Sequence, residues 1–148
     1  LLIMYFIIFG SSQNMMAAAI ISFGVNSGAY VAEIVRSGIM SIPKGQMEAG
    51  RSLGLNYATT MRCIIIPQAI KNILPALGNE LITLLKETSI CTVIGLMDLT
   101  KGAMIVQSRT YAPWVPYLSI AIIYLVIVLI LTKLLGILER RLRESDRR

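Results

Sequence analysis

Asn79, Glu80, Thr83, Lys86 and Glu87 are polar or charged side chains in the segment from Pro67 to Met97, which is helical by spacing but polar for a membrane span. At about 100° per residue they share one arc of a helix, with Leu81, Leu84 and Leu85 turned away. A charged group at the centre of a bilayer costs roughly 2.5 to 3.5 kcal/mol by insertion scales, so such an arc faces protein or water and not lipid. The chemistry it offers is non-covalent. A mixed-sign stripe with Lys86 between Glu80 and Glu87 suits a zwitterion without choosing its side chain. Two readings stand: the stripe lines a translocation pathway, or Lys86 pairs with Glu80 or Glu87 purely as structure.

Covalent and metal chemistry find no support. The chain has no histidine, which excludes a Ser-His-Asp triad, a Cys-His pair and His-ligated zinc. Cys63 and Cys91 show neither metal-ligand spacing nor a disulfide framework and read as small buried hydrophobes. No G-x-x-x-x-G-K-[ST] phosphate loop occurs, so the expectation is that this chain binds no ATP in the usual way and carries no cofactor of its own. If it moves a solute uphill, the free energy comes from another subunit through a contact surface.

The elements that position these residues belong in a bilayer. A chain of 148 residues that is 55% hydrophobic, with a mean hydropathy of +0.71, is too apolar for an ordinary soluble domain. The net charge of +6 resides in cations that flank apolar blocks, which fits membrane orientation and argues against nucleic acid. Leu1 to Ala32 carries no charge. Its first piece, LLIMYFIIF, is about half of the roughly 20 residues a spanning helix needs, so it reads as the end of a helix in a C-terminal portion of a longer protein. After a break at GSSQN, a span from about Met15 to Val35 places Ser22, Asn26, Tyr30 and Glu33 on one side. Ala17, Gly24, Gly28 and Ala32 lie on the other, a small-residue face suited to close helix approach. Asn26 and Tyr30 are candidate pathway residues, with bonding to neighbouring helices as the competing reading. Glu33 is placed to pair with Arg36. The last span, Thr110 to Thr132, is charge-free and long enough to cross.

Between the spans lies a polar, basic interruption, EAGRSLGLNYATTMRCIIIP, from Glu48 to Pro67. Ser41 is a candidate cap for a short helix with Pro43 in its first turn and with Met47, Gly50 and Leu53 on one face. Gly54 ends that helix, and Asn56 caps a second one. Pro67 is expected to open the next helix and Pro75 to kink it. Cations set the orientation: Arg36, Lys44, Arg51, Arg62 and Lys71 on this connection, and Arg140, Arg141, Arg143, Arg147 and Arg148 in the tail, place both on the cytoplasmic side. The opposite connection, around Asp98 to Trp114, holds only Lys101 and Arg109, with Pro113, Trp114, Pro116 and Tyr117 suiting an interface belt.

The same stretch resembles the EAA loop of permease subunits of bacterial ATP-binding-cassette importers: E-A-A, three residues, G, nine residues, I-x-L-P. Glu48, Ala49, Gly54, Ile64 and Pro67 fit that spacing, while Gly50 stands for the second Ala and Ile66 for Leu. The segments NSGAYVAEIVRSGIMSIPKGQMEAGRSLGL, PQAIKNILPALGNELITLLKETSI and YLVIVLILTKLLGILERRLR are similar to the polar amino-acid branch of that family, so the resemblance covers nearly the whole chain. It implies an all-α membrane protein, the transmembrane domain of a type I importer over residues 1–148, with about three full spans plus part of a preceding one. Residues 37–66 would be the cytoplasmic coupling loop and residues 139–148 a basic cytoplasmic tail. Met47, Glu48, Ala49, Gly50, Arg51, Leu53, Gly54 and Pro67 would serve coupling to a separate ATPase subunit, which uses the ATP.

The implied partners are ATPase subunits, a second permease subunit (identical or homologous), an extracytoplasmic amino-acid-binding protein, a polar amino acid and the bilayer of the bacterial inner membrane. The implied function is that of a permease subunit and not of an enzyme. The alternative is a truncated, non-transporting membrane interaction protein that retains the docking loop.

Overall fold

The computed structural model describes residues 2–8 and 14–144; all but Asn14 of the expected break at GSSQN, and the end of the tail, residues 145–148, lie outside them. The described residues form helices and turns with no strand. In order these are a π-helical turn at Met4–Ile8, α1 (Met15–Met40), α2 (Lys44–Ser52), α3 (Tyr57–Thr60), a π-helical turn at Met61–Ile65, α4 (Ile66–Glu87), a 3-10 stretch at Thr88–Ile94, α5 (Leu99–Thr110) and α6 (Trp114–Glu144).

Among the described residues two helices, Met15–Met40 and Trp114–Leu142, are long and apolar enough to cross a membrane. A third span is obtained if Tyr57–Ile94 and Leu99–Thr110, bent by 48° at the break between them, count as one. At 1.5 Å per residue the 26 residues of α1 extend about 39 Å, more than the roughly 30 Å of a hydrocarbon core. The all-α membrane class is therefore what the structure shows. The connection expected from Asp98 to Trp114 is mostly helix α5, started by Asp98, whose carboxylate accepts from Lys101 N at 2.7 Å and from the Thr92 hydroxyl.

The chain divides into two units, one of Leu1–Gly28 with Leu81–Thr132 and the other of Ala29–Glu80 with Lys133–Arg148. In the first, Tyr5, Ala18, Ala19, Cys91 and Ile94 form a buried cluster with Met15, Phe23 and Leu96 against it. Cys91 is thus a buried hydrophobe as its context implied, whereas Cys63 is exposed. In the second unit, glycines set the helix spacing. A Cβ on Gly38 of α1 would fall 2.3 Å from Ile73 Cγ1 of α4, and one on Gly78 of α4 would fall 2.3 Å from Leu135 Cδ1 of α6. Of the small-residue face expected at Ala17, Gly24, Gly28 and Ala32, the two glycines meet no other helix among the described residues, with nothing within 4 Å of a Cβ on either.

Candidate functional site

Two places gather the residues singled out from sequence: the loop between α1 and α4, and a cavity beside α1.

The loop is built by local hydrogen bonding. Ser41 does not cap α2. Because α1 runs on to Met40, the Ser41 hydroxyl donates back to Gly38 O at 2.7 Å and accepts from Asn72 Nδ2 at 2.9 Å, and Pro43 occupies the cap position instead. The far end of α2 closes as a Schellman motif: Gly54 N donates to Arg51 O at 2.9 Å and Leu55 N to Gly50 O at 3.2 Å. That geometry needs a left-handed residue at Gly54, whose φ is +82°. Asn56 then caps α3, accepting from Thr59 N at 2.8 Å.

Pro67 stands in the first turn of α4, as expected, but no break precedes it. Helical structure continues from Tyr57 through it, and the turn just before it is a π-helix in which Ile66 N donates to Met61 O. Proline has no N–H for the carbonyl four residues back, and a π turn is one way a helix absorbs that loss. Gln68 Nε2 assists by donating to Ile64 O at 3.0 Å. Pro75 is likewise inside α4.

Of the loop residues expected to serve coupling, Glu48, Ala49, Arg51, Leu53, Gly54 and Pro67 are exposed, Met47 is half-buried and Gly50 is buried. Leu53 is 80% exposed, an apolar side chain with no cover from its own chain. Gly50 points the other way, toward Thr60, which is fully buried. The shared face of Met47, Gly50 and Leu53 is thus divided: Gly50 braces α2 on α3, and Leu53, Glu48, Ala49 and Arg51 are left on the outside.

The second place is a cavity of about 670 Å³ in the first unit, walled by Ser22, Phe23, Val25 and Asn26 of α1 and by Glu87, Ser89 and Ile90 at the end of α4. Its size lies in the range of small-molecule pockets. One wall offers a carboxylate, the other an amide and a hydroxyl, with Phe23, Val25 and Ile90 as apolar surface. Such a set can bind an ammonium at Glu87 and a carboxylate or amide at Asn26. Ser22 is only 9% exposed, yet its hydroxyl has no partner among the described residues. Other helical serines of the chain, such as Ser52 and Ser119, donate back to the carbonyl four residues earlier.

Of the candidate pathway residues, the cavity brings together Asn26 and Glu87. Tyr30 is exposed and not among its walls; Asn79 is exposed, Glu80 and Thr83 are half-buried, and Lys86 is exposed. The pairing of Glu33 with Arg36 is formed, with Arg36 Nε 2.8 Å from Glu33 Oε2. Sequence reasoning left Ser89 and Ile90 out because it continued an α-helical projection past Glu87. In a 3-10 helix residues three apart eclipse, which aligns Ile90 with Glu87. Ser22 was legible, one turn before Asn26 on the polar side of α1.

The sequence of residues 1–144 matches the family model described as "Binding-protein-dependent transport system inner membrane component". The chain belongs to this family. Its relatives include the arginine transport system permease protein ArtQ of Bacillus subtilis, 44% identical over 99% of this chain and 68% of that protein. The putative glutamine transport system permease protein GlnP of Rickettsia bellii is 44% identical over 90% of this chain and 61% of its own length. A crystal structure of an amino acid ABC transporter with histidines superposes with a TM-score of 0.89 at 52% identity, covering 95% of this chain and 66% of that one. This member of the transport family therefore spans about 60 to 70% of the length of these relatives. Its resemblance to polar amino-acid permeases, and the transport and transmembrane character this implies, rest on these matches together with the apolar helices.

Proposed function

We propose that the chain forms the translocation pathway of an ATP-driven importer of polar amino acids and receives its driving force from a separate ATPase subunit through the loop at residues 37–66. The observation that carries the reading is the division of α2: Gly50 is locked onto Thr60, while Leu53, Glu48, Ala49 and Arg51 remain uncovered on a helix of fixed angle. A braced helix with an exposed apolar residue between charges is a docking element. ATPase closure would shift it as a body, and the helices before and after Gly54 would convert that shift into opening and closing of the pathway, provided ATP binding favours one state over the other.

In the same proposal the loop and the tail face the cytoplasm of a bacterial cell, a second permease copy or homologue completes the pathway, and an extracytoplasmic binding protein delivers the amino acid. The cavity at Asn26 and Glu87 is where the zwitterion pauses, with Lys86 and its neighbours on α4 further along. The ATP is bound by the partner and not by this chain.

The test is co-purification of the chain with its ATPase, followed by reconstitution in liposomes. Amino-acid-stimulated ATP hydrolysis with uptake supports the reading. Stable ATPase docking without uptake under any amino acid supports instead the non-transporting interaction protein, and failure to dock removes both.

A further inference from the structure

From Lys133 to Arg148 the sequence carries six cations against three anions. Within this stretch Lys133, Gly136, Ile137 and Arg140 line a cleft of about 330 Å³ on α6. The helical register says which way it faces. Leu135 lies against Gly78 of α4. At about 100° per residue, Lys133, Ile137 and Arg140 all fall within about 40° of the direction opposite Leu135, so the cleft turns away from α4. Glu139, about 40° from Leu135, is on the α4 side and not among the cleft residues. Among the described residues nothing lies within 4 Å of a Cβ on Gly136, so the floor between the two cations is open there.

Depth argues for the occupant. Trp114, 85% exposed, starts α6, and the 19 residues from there to Lys133 rise about 28 Å, close to the roughly 30 Å of a hydrocarbon core. With Trp114 in one interface belt, Lys133 stands at the opposite boundary and Arg140 about 10 Å beyond it, across the headgroup layer. The apolar side chains beside the cations, Leu134 at 59% and Ile137 at 53% exposure, are each more than half exposed. A soluble anion would use the cations and ignore those side chains; a lipid uses both.

We propose that this cleft binds the phosphate-bearing headgroup of an anionic phospholipid, with Lys133 and Arg140 on either side of the phosphate, Gly136 leaving room for it, and Leu134 and Ile137 against the acyl chains. The inference requires only that α6 spans the bilayer and does not depend on what the protein transports.

The experiment uses the chain in its assembled complex, in nanodiscs of phosphatidylcholine with graded phosphatidylglycerol, and counts retained lipid by native mass spectrometry. Wild type is expected to retain phosphatidylglycerol over phosphatidylcholine. Lys133→Gln and Arg140→Gln should each weaken retention about 5-fold, and the double variant about 30-fold. Gly136→Leu keeps both charges, places its side chain in open space and should also weaken retention. Equal retention of the two lipids by wild type, or a double variant that retains phosphatidylglycerol like wild type, overturns the proposal. So does binding of inorganic phosphate alone with the same variant dependence and no retained lipid. Disulfide cross-linking between two copies through Ile137→Cys, at excess lipid, assigns the face to a second copy and overturns it as well.

Discussion

Gly50 of α2 meets Thr60 of α3 so closely that a Cβ on Gly50 would lie 2.5 Å from Thr60 Cγ2 and 3.0 Å from its Oγ1. Thr60 cannot easily give way. It is fully buried, and its hydroxyl donates to Asn56 O at 3.0 Å. Two effects oppose each other in Gly50→Ala: better helix propensity, worth up to about 1 kcal/mol, and overpacking, which costs about 1–3 kcal/mol. Overpacking is expected to win, lowering the melting temperature of the purified protein. Adding Thr60→Ser removes the obstructing methyl, keeps the hydroxyl and should restore more than half of the loss. Additive effects in the double-mutant cycle would show that the two residues do not oppose each other in this way.

Gly54 presents the reverse case, space without backbone freedom. Nothing lies within 4 Å of a Cβ there, but φ is +82°. Gly54→Val should therefore cost about 1–2 kcal/mol and tilt the exposed face of α2, whereas Gly54→Asn, tolerated in the left-handed region, should cost less. Membrane insertion is expected to persist in both. The ratio of ATP hydrolysed to amino acid taken up in proteoliposomes should rise for valine above asparagine; equal ratios would show that the angle at Gly54 does not set coupling.

Glu87 lines the cavity and Lys86 does not. Hydrogen bonds to charged groups are worth about 1.5–3 kcal/mol, so Glu87→Gln should raise the KM for uptake roughly 10-fold or more. Lys86→Gln should act more weakly on KM, its effect falling on turnover. Matching KM changes for the two variants would mean that the cavity is not where the substrate rests.

Gly38 and Gly78 are contact glycines, while Gly24 and Gly28 face open space. Leucine at Gly38 or Gly78 should destabilise the folded chain by at least about 1–3 kcal/mol. Leucine at Gly24 or Gly28 should leave thermal stability of the isolated chain nearly unchanged. Comparable melting shifts at all four positions would contradict this division.

Asp98 holds the start of α5 by accepting from Lys101 N and the Thr92 hydroxyl. Asp98→Ala should cost about 0.5–2 kcal/mol and appear as faster amide hydrogen exchange in the first turn of α5. Unchanged exchange there would show that the cap is not what secures that turn.

The sequence by itself determined the membrane class, the helical character of nearly every segment, the breaks at Gly54 and Asn56, and the pairing of Glu33 with Arg36. Each follows from chain-local physics: apolar runs of spanning length, residues that alone tolerate a left-handed turn or cap a helix, and an i,i+3 ion pair. Tertiary structure decided what depends on a neighbour. Ser41 lost its cap role because α1 runs up to Met40, so that the Ser41 hydroxyl turns back to Gly38 O, and Asn72 supplies another partner. Pro67 kept its place in the first turn of α4, but a π turn joins it to the preceding helix where the sequence suggested a fresh start. The close-packing glycines proved to be Gly38 and Gly78, since a GxxxG spacing says that a face is flat but not which helix comes to meet it. Of the polar arc on α4, Glu87 at the helix end lines the cavity wall with Asn26, and the neighbouring wall residues Ser89 and Ile90 come from the 3-10 stretch after it, whose tighter phase an α-helical projection does not give.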